Sequence, residues 1–83
     1  MIHTEIIKAI MRKKRVTQTE IAYALGFTSS TVSLRLSRKR CSIMNTVDIL
    51  DVLGYEMVIR PAKKEPLAEN EYVLHSRDYE GED

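Results

Sequence analysis

The chain has 83 residues and a mass of 9.6 kDa, with 13 Lys plus Arg against 12 Asp plus Glu and a single cysteine. That length leaves room for one domain, the lone Cys41 excludes an intramolecular disulfide or a Cys-based zinc cluster, and no apolar run approaches the roughly 20 residues of a membrane-spanning helix. The formal charge of +1 hides a division: residues 1–64 carry 12 basic and 5 acidic side chains, a net of +7, whereas residues 65–83 carry 1 and 7, a net of −6. A basic body with an acidic tail points to polyanion binding plus an interaction tail. A body this small buries only about 60% of its unfolded surface, and dimerisation is a common remedy. The lone cysteine suits a reducing cytoplasm, and no signal-peptide pattern follows Met1.

In chain order, Ile2, Ile6, Ile7, Ile10 and Met11 recur at helical spacing, which predicts an amphipathic helix over residues 2–13. It runs into Arg12-Lys13-Lys14-Arg15, positive charge that suits a helix C-terminus or a phosphate contact equally well. Thr17-Gln18-Thr19-Glu20 has the pattern of a capping box, with Val16 and Ile21 at the hydrophobic-staple positions. The second helix is short, about residues 18–24, because Gly26 can take the positive φ that ends it. Thr28 then caps a third helix over about 29–37, its first turns crowded with Ser29, Ser30, Thr31 and Ser33. Such residues form helices poorly, so they suggest either plain solubility or a surface that fits against something large.

After the basic loop Arg38-Lys39-Arg40, Ser42 caps a fourth helix running through Leu53 and ended by Gly54. At about 100° per residue its expected core stripe is Ile43, Thr46, Val47, Leu50 and Leu53, with Ile49 at the margin and Val52 nearly opposite. Residues 55–60, Tyr-Glu-Met-Val-Ile-Arg, read as one strand closed by Pro61. A lone strand needs a partner for its backbone N–H and C=O groups. Pairing with the same strand of a second subunit is favoured, and a hairpin with residues 71–75 is the alternative. The dimer contact is thus expected to use Ile49, Val52, Tyr55, Met57, Val58 and Ile59. Three segments emerge: 1–54 as the helical domain, 55–64 as dimerising strand and linker, and 65–83 as an acidic tail, largely disordered.

Two short helices joined by a tight glycine turn, with small Ala22 at the crossing and Val32 locking the pair, make a helix-turn-helix layout. The stretches Val16-Thr17-Gln18-Thr19-Glu20-Ile21-Ala22 and Leu25-Gly26-Phe27-Thr28-Ser29-Ser30-Thr31-Val32-Ser33 resemble the Cro and lambda-repressor (XRE) family of DNA-binding proteins. The resemblance covers roughly residues 5–54. It implies a mainly α, four-helix lambda-repressor-like domain whose third helix enters the major groove of double-stranded DNA. Carried over by position, Ser29, Ser30, Ser33 and Leu34 face bases, while Gln18, Thr28, Thr31, Arg38, Lys39 and Arg40 face the backbone. In that family Leu34 stands at a usually polar position and Arg35 at a usually apolar one. Either Leu34 meets a thymine methyl or the helix is rotated.

A fourth helix followed directly by an apolar strand is similar to HipB-type antitoxins, which join subunits by that strand, bind a toxin and repress their own operon. The function expected is therefore a homodimeric repressor on a near-palindromic operator. The alternative is an antitoxin whose tail helps engage a protein toxin. An enzyme is not expected: His3 and His75 lie near opposite ends and read as solvent-facing, Cys41 has no neighbouring base, and neither cofactor motif nor metal-ligand spacing is present.

Overall fold

A computed structural model of the chain describes residues 1–37 and 41–79. Four helices build the body: α1 (His3–Lys14), α2 (Gln18–Leu25), α3 (Ser29–Leu36) and α4 (Ile43–Val52). A 3-10 turn, Ser76–Tyr79, follows a long stretch without regular structure. α1 packs on α3 and α4, and α2 packs on the same two helices. The core they enclose is aliphatic: Ile7, Ile10, Ile21, Val32, Leu36, Ile49 and Leu53 are fully buried.

The local signals explain where each helix begins and ends. The Thr17 hydroxyl accepts from Glu20 N–H at 3.2 Å, and the Glu20 carboxylate accepts from Thr17 N–H at 3.3 Å, completing the capping box. Thr28 accepts from Thr31 N–H and Ser42 from Asn45 N–H, so α3 and α4 are each capped by the expected hydroxyl. Three helices close alike, through a residue in the left-handed region followed by an N–H that reaches back five residues. Val16 N–H donates to Met11 O past Arg15 (φ 57°), Phe27 to Ala22 O past Gly26 (φ 74°), and Tyr55 to Leu50 O past Gly54 (φ 79°). Glycine supplies this conformation without strain at two of the three; Arg15 holds it with a side chain.

The expected faces of α4 are corrected. In α4 the inner face consists of Thr46, Ile49, Leu50 and Leu53, while Ile43 is 73% exposed and Val47 half-buried. The spacing of those four satisfies the same helical period, turned toward Ile49 because α4 meets α1 and α2 along that line. Ile49 is thereby part of the core. Val52 and Tyr55 are half-buried against the core too.

Residues 55–60 have no regular secondary structure, and no strand occurs among the described residues. A ladder needs a facing edge, and none of the described residues supplies one. Residues 71–75 do not form the alternative hairpin. They meet residues 55–60 at the Tyr55 and Tyr72 rings, 6.4 Å between centroids, and through an Arg60–Glu71 ion pair at 3.6 Å.

The tail is held at two places within residues 65–79. The Glu71 carboxylate accepts from Ala68 N–H at 2.8 Å, closing a small turn. That bond holds the Glu71 carboxyl below its usual pKa, against the opposing effect of desolvation and with help from Arg60 and Lys63. Farther on, the Tyr79 hydroxyl accepts from His3 backbone N–H at 2.8 Å and pairs with His3 Nδ1 at 2.9 Å. His3 Nε2 meets the Cys41 carbonyl at 3.0 Å. A carbonyl only accepts, so Nε2 carries a proton and the ring bridges the tail to the start of α4. His3 is therefore half-buried rather than solvent-facing. Asp78 also bonds the Met1 ammonium at 2.6 Å, which lowers its carboxyl pKa.

Candidate nucleic-acid interface

α2 and α3 form the helix-turn-helix unit, with Gly26-Phe27-Thr28 as the turn. Ala22 is buried where the two helices meet, and Val32 is fully buried beneath α3. This places the outer face of α3 in solvent: Ser29, Ser30 and Ser33 are exposed, and Leu34 is 67% exposed. The hydroxyls at the first turn form a connected set. The Thr28 hydroxyl lies 3.2 Å from that of Ser30 and 2.9 Å from that of Thr31. Ser29 meets the Thr19 hydroxyl at 3.0 Å, tying the first turn of α3 to the first turn of α2. Each hydroxyl has one donor and two acceptor sites, so these bonds orient the surface yet leave capacity for a ligand.

The reversed pair at 34 and 35 has a physical basis here. The Arg35 guanidinium sits 4.3 Å from the centre of the Phe27 ring and donates to Asn45 Oδ1 at 3.0 Å. An aromatic platform and an amide acceptor thus hold Arg35 half-buried. Leu34 is correspondingly turned outward.

Gln18 is half-buried at the N-terminus of α2, beside the exposed Thr17 and Thr19. Thr28 and Thr31 lie at the first turn of α3 with the serines. The expected backbone clamp Arg38-Lys39-Arg40 lies outside the described residues. Ser29, Ser30, Ser33 and Leu34 are thus brought to one surface with Gln18 and Thr28 at its edge. Met57, Val58 and Ile59 are also exposed, on the segment after α4.

Sequence reasoning misses several contributors. Its pattern marks Thr19 only as part of a helix start, although the Thr19 hydroxyl braces Ser29. Lys8, Arg12 and Arg15 line an open groove of about 420 Å³ with Met11, Val16 and Gln18. Their spacing of four and three residues could have marked them as one stripe. The basic run at 12–15 is itself divided: Lys14 Nζ turns inward and donates to Leu53 O at 2.6 Å.

Among the described residues, no group of His, Cys, Asp and Glu is placed to hold a metal ion, and no helix is long and apolar enough to cross a membrane. Comparison with curated proteins and with solved structures finds no match. A family model described as winged helix-turn-helix DNA-binding matches residues 2–38, fewer than half of the chain. That stretch takes in α1, α2 and α3 and stops before α4, and it supports the helix-turn-helix reading of this unit as a DNA-binding one.

Proposed function

We propose that the protein is a sequence-specific transcriptional repressor that binds double-stranded DNA as a homodimer, with α3 in the major groove. The observation that carries this reading is the exposed face of α3, where Ser29, Ser30, Ser33 and Leu34 share a surface braced through Thr19 to α2. A single α-helix fits the major groove, and a body of net charge +7 over residues 1–64 favours a phosphate polyanion. Hydroxyls donate or accept, so they discriminate bases weakly, and Leu34 supplies an apolar contact suited to a thymine methyl. Much of the specificity then comes from DNA shape.

The dimer is supported by residues 57–59. Met57, Val58 and Ile59 are 42%, 67% and 103% exposed, on a segment with no ladder partner among the described residues. Pairing two such segments antiparallel about a two-fold axis satisfies their backbone groups and covers the apolar side chains. Two α3 helices so related would address half-sites about 34–36 Å apart. The second reading, an autorepressing antitoxin of the HipB type, draws on the acidic tail, whose net charge of −6 over residues 65–83 suits a basic protein partner. It adds a partner to the repressor reading without altering the DNA contact.

Selection of bound duplexes from a random pool tests the function. The expected result is an enriched near-palindrome whose preference is lost in Ser29→Ala/Ser33→Ala/Leu34→Ala while non-specific binding persists. Failure to enrich any sequence would overturn it.

A further inference from the structure

We infer that the groove between α1 and the start of α2 is a seat for the sugar–phosphate backbone of DNA, flanking the bases addressed by α3. The inference rests on the DNA-binding reading and extends it to a surface on α1. Lys8, Arg12 and Arg15 recur at four- and three-residue intervals, so they stand on one side of the helix and its C-terminal turn. They line an open groove of about 420 Å³ floored by Met11 and Val16, and no acidic side chain lines it. None of the three cations has an ion-pair partner among the described residues.

The capping box already uses the Thr17 and Glu20 N–H groups at the start of α2, and the three cations supply the charge that holds the anion. Apolar floor and cationic rim match a strand of DNA backbone, which presents deoxyribose between phosphates. Position strengthens the assignment. Gln18 closes the groove, the next residue Thr19 meets Ser29 across the turn, and Ser29 opens the exposed face of α3. The groove and the recognition face therefore form one continuous surface, along which a strand leaving the major groove would pass from Ser29 over Gln18 to Arg12 and Arg15. Lys14, in the same basic run, is withdrawn from this surface by its bond to Leu53 O.

The test is the salt dependence of binding to a mixed-sequence duplex of about two helical turns, followed by fluorescence anisotropy. Every phosphate that is no longer neutralised should reduce the slope of log K against log salt by about 0.9. Each substitution is present in both subunits of the bound dimer, so Lys8→Gln/Arg12→Gln should reduce it by about 3.6, with the same loss on any sequence. Arg15→Gly, likewise present twice, should reduce it by about 1.8. That second variant guards against misfolding, because glycine adopts the left-handed φ of 57° at this site more readily than arginine does. A folded Arg15→Gly protein with an unchanged slope would overturn the phosphate seat while leaving the repressor reading intact. A slope that changes only when residues 65–83 are present would mean that the acidic tail occupies the groove, and would overturn it too. Wild-type protein that binds no duplex at all would overturn both.

Discussion

Replacing Lys14 by methionine separates the two uses of the basic run at 12–15. The lysine stem and the methionine side chain have similar length and apolar character, so the change chiefly removes the ammonium. In the structure that ammonium donates to Leu53 O at 2.6 Å, just past the last turn of α4. It also stands 5.6 Å from the centre of the Tyr55 ring. A hydrogen bond from a charged group contributes about 1.5–3 kcal/mol, a cation over an aromatic ring about 0.5 kcal/mol, and a cation at a helix C-terminus a few tenths. Lys14 is largely exposed, so solvent screening reduces the sum to about 1.5 kcal/mol. For a domain of this size that corresponds to a fall in Tm of roughly 6–12 °C. Thermal and urea melts of the full chain measure it, with an unchanged urea m-value as the sign that only stability has moved. The slope of DNA affinity against salt should stay at the wild-type value, unlike that of Lys8→Gln/Arg12→Gln. A Tm within about 2 °C of wild type, or a loss of salt slope, would refute the assignment of Lys14 as a cap on α4.

Thr17→Ala removes one half of the capping box and leaves Glu20 without its partner hydroxyl. It should cost about 1 kcal/mol in urea unfolding. The Glu71 carboxyl is held below its usual pKa, so its contribution to the Ala68–Glu71 turn is full above the unfolded-state value and is lost as pH falls through the lowered one. In an acid titration followed by NMR, the Ala68 amide should therefore report opening only below the ordinary glutamate range. Opening at or above that range would contradict the bond. Ile59→Lys places a charge on the most exposed apolar side chain of the proposed intersubunit segment. It should shift sedimentation toward a monomer with the melting of the body little changed, and an unaltered dimer would remove residues 57–59 from the interface.

Much of the helical body is legible in the sequence because its signals are local. A hydroxyl capping its own helix and a glycine that needs positive φ act within five residues, so Thr17, Thr28, Ser42, Gly26 and Gly54 stand where their pattern predicts. Periodicity alone constrains the faces less tightly. Ile43 and Ile49 both fit an apolar stripe on α4, and only packing against α1 and α2 decides that Ile49 is inside and Ile43 outside. The same holds for Leu34 and Arg35, whose orientation depends on the Phe27 ring and Asn45, both outside α3. The docking of the tail is hidden for a further reason. It depends on a contact between His3 and Tyr79, 76 residues apart, which no local pattern records. On the candidate site, the serines of α3 are readable as a composition anomaly, whereas the bracing Thr19 and the groove cations require the turn between α1 and α2 to be folded first.

The central claim is that α3 lies in the major groove of DNA, twice per bound dimer. The most direct measurement is major-groove methylation protection of guanines on the duplex that selection enriches. Two protected patches centred about 34–36 Å apart on one face of the duplex, both lost in Ser29→Ala/Ser33→Ala/Leu34→Ala, are the predicted result. Protection confined to the minor groove, or a single patch that survives the triple substitution, would contradict it.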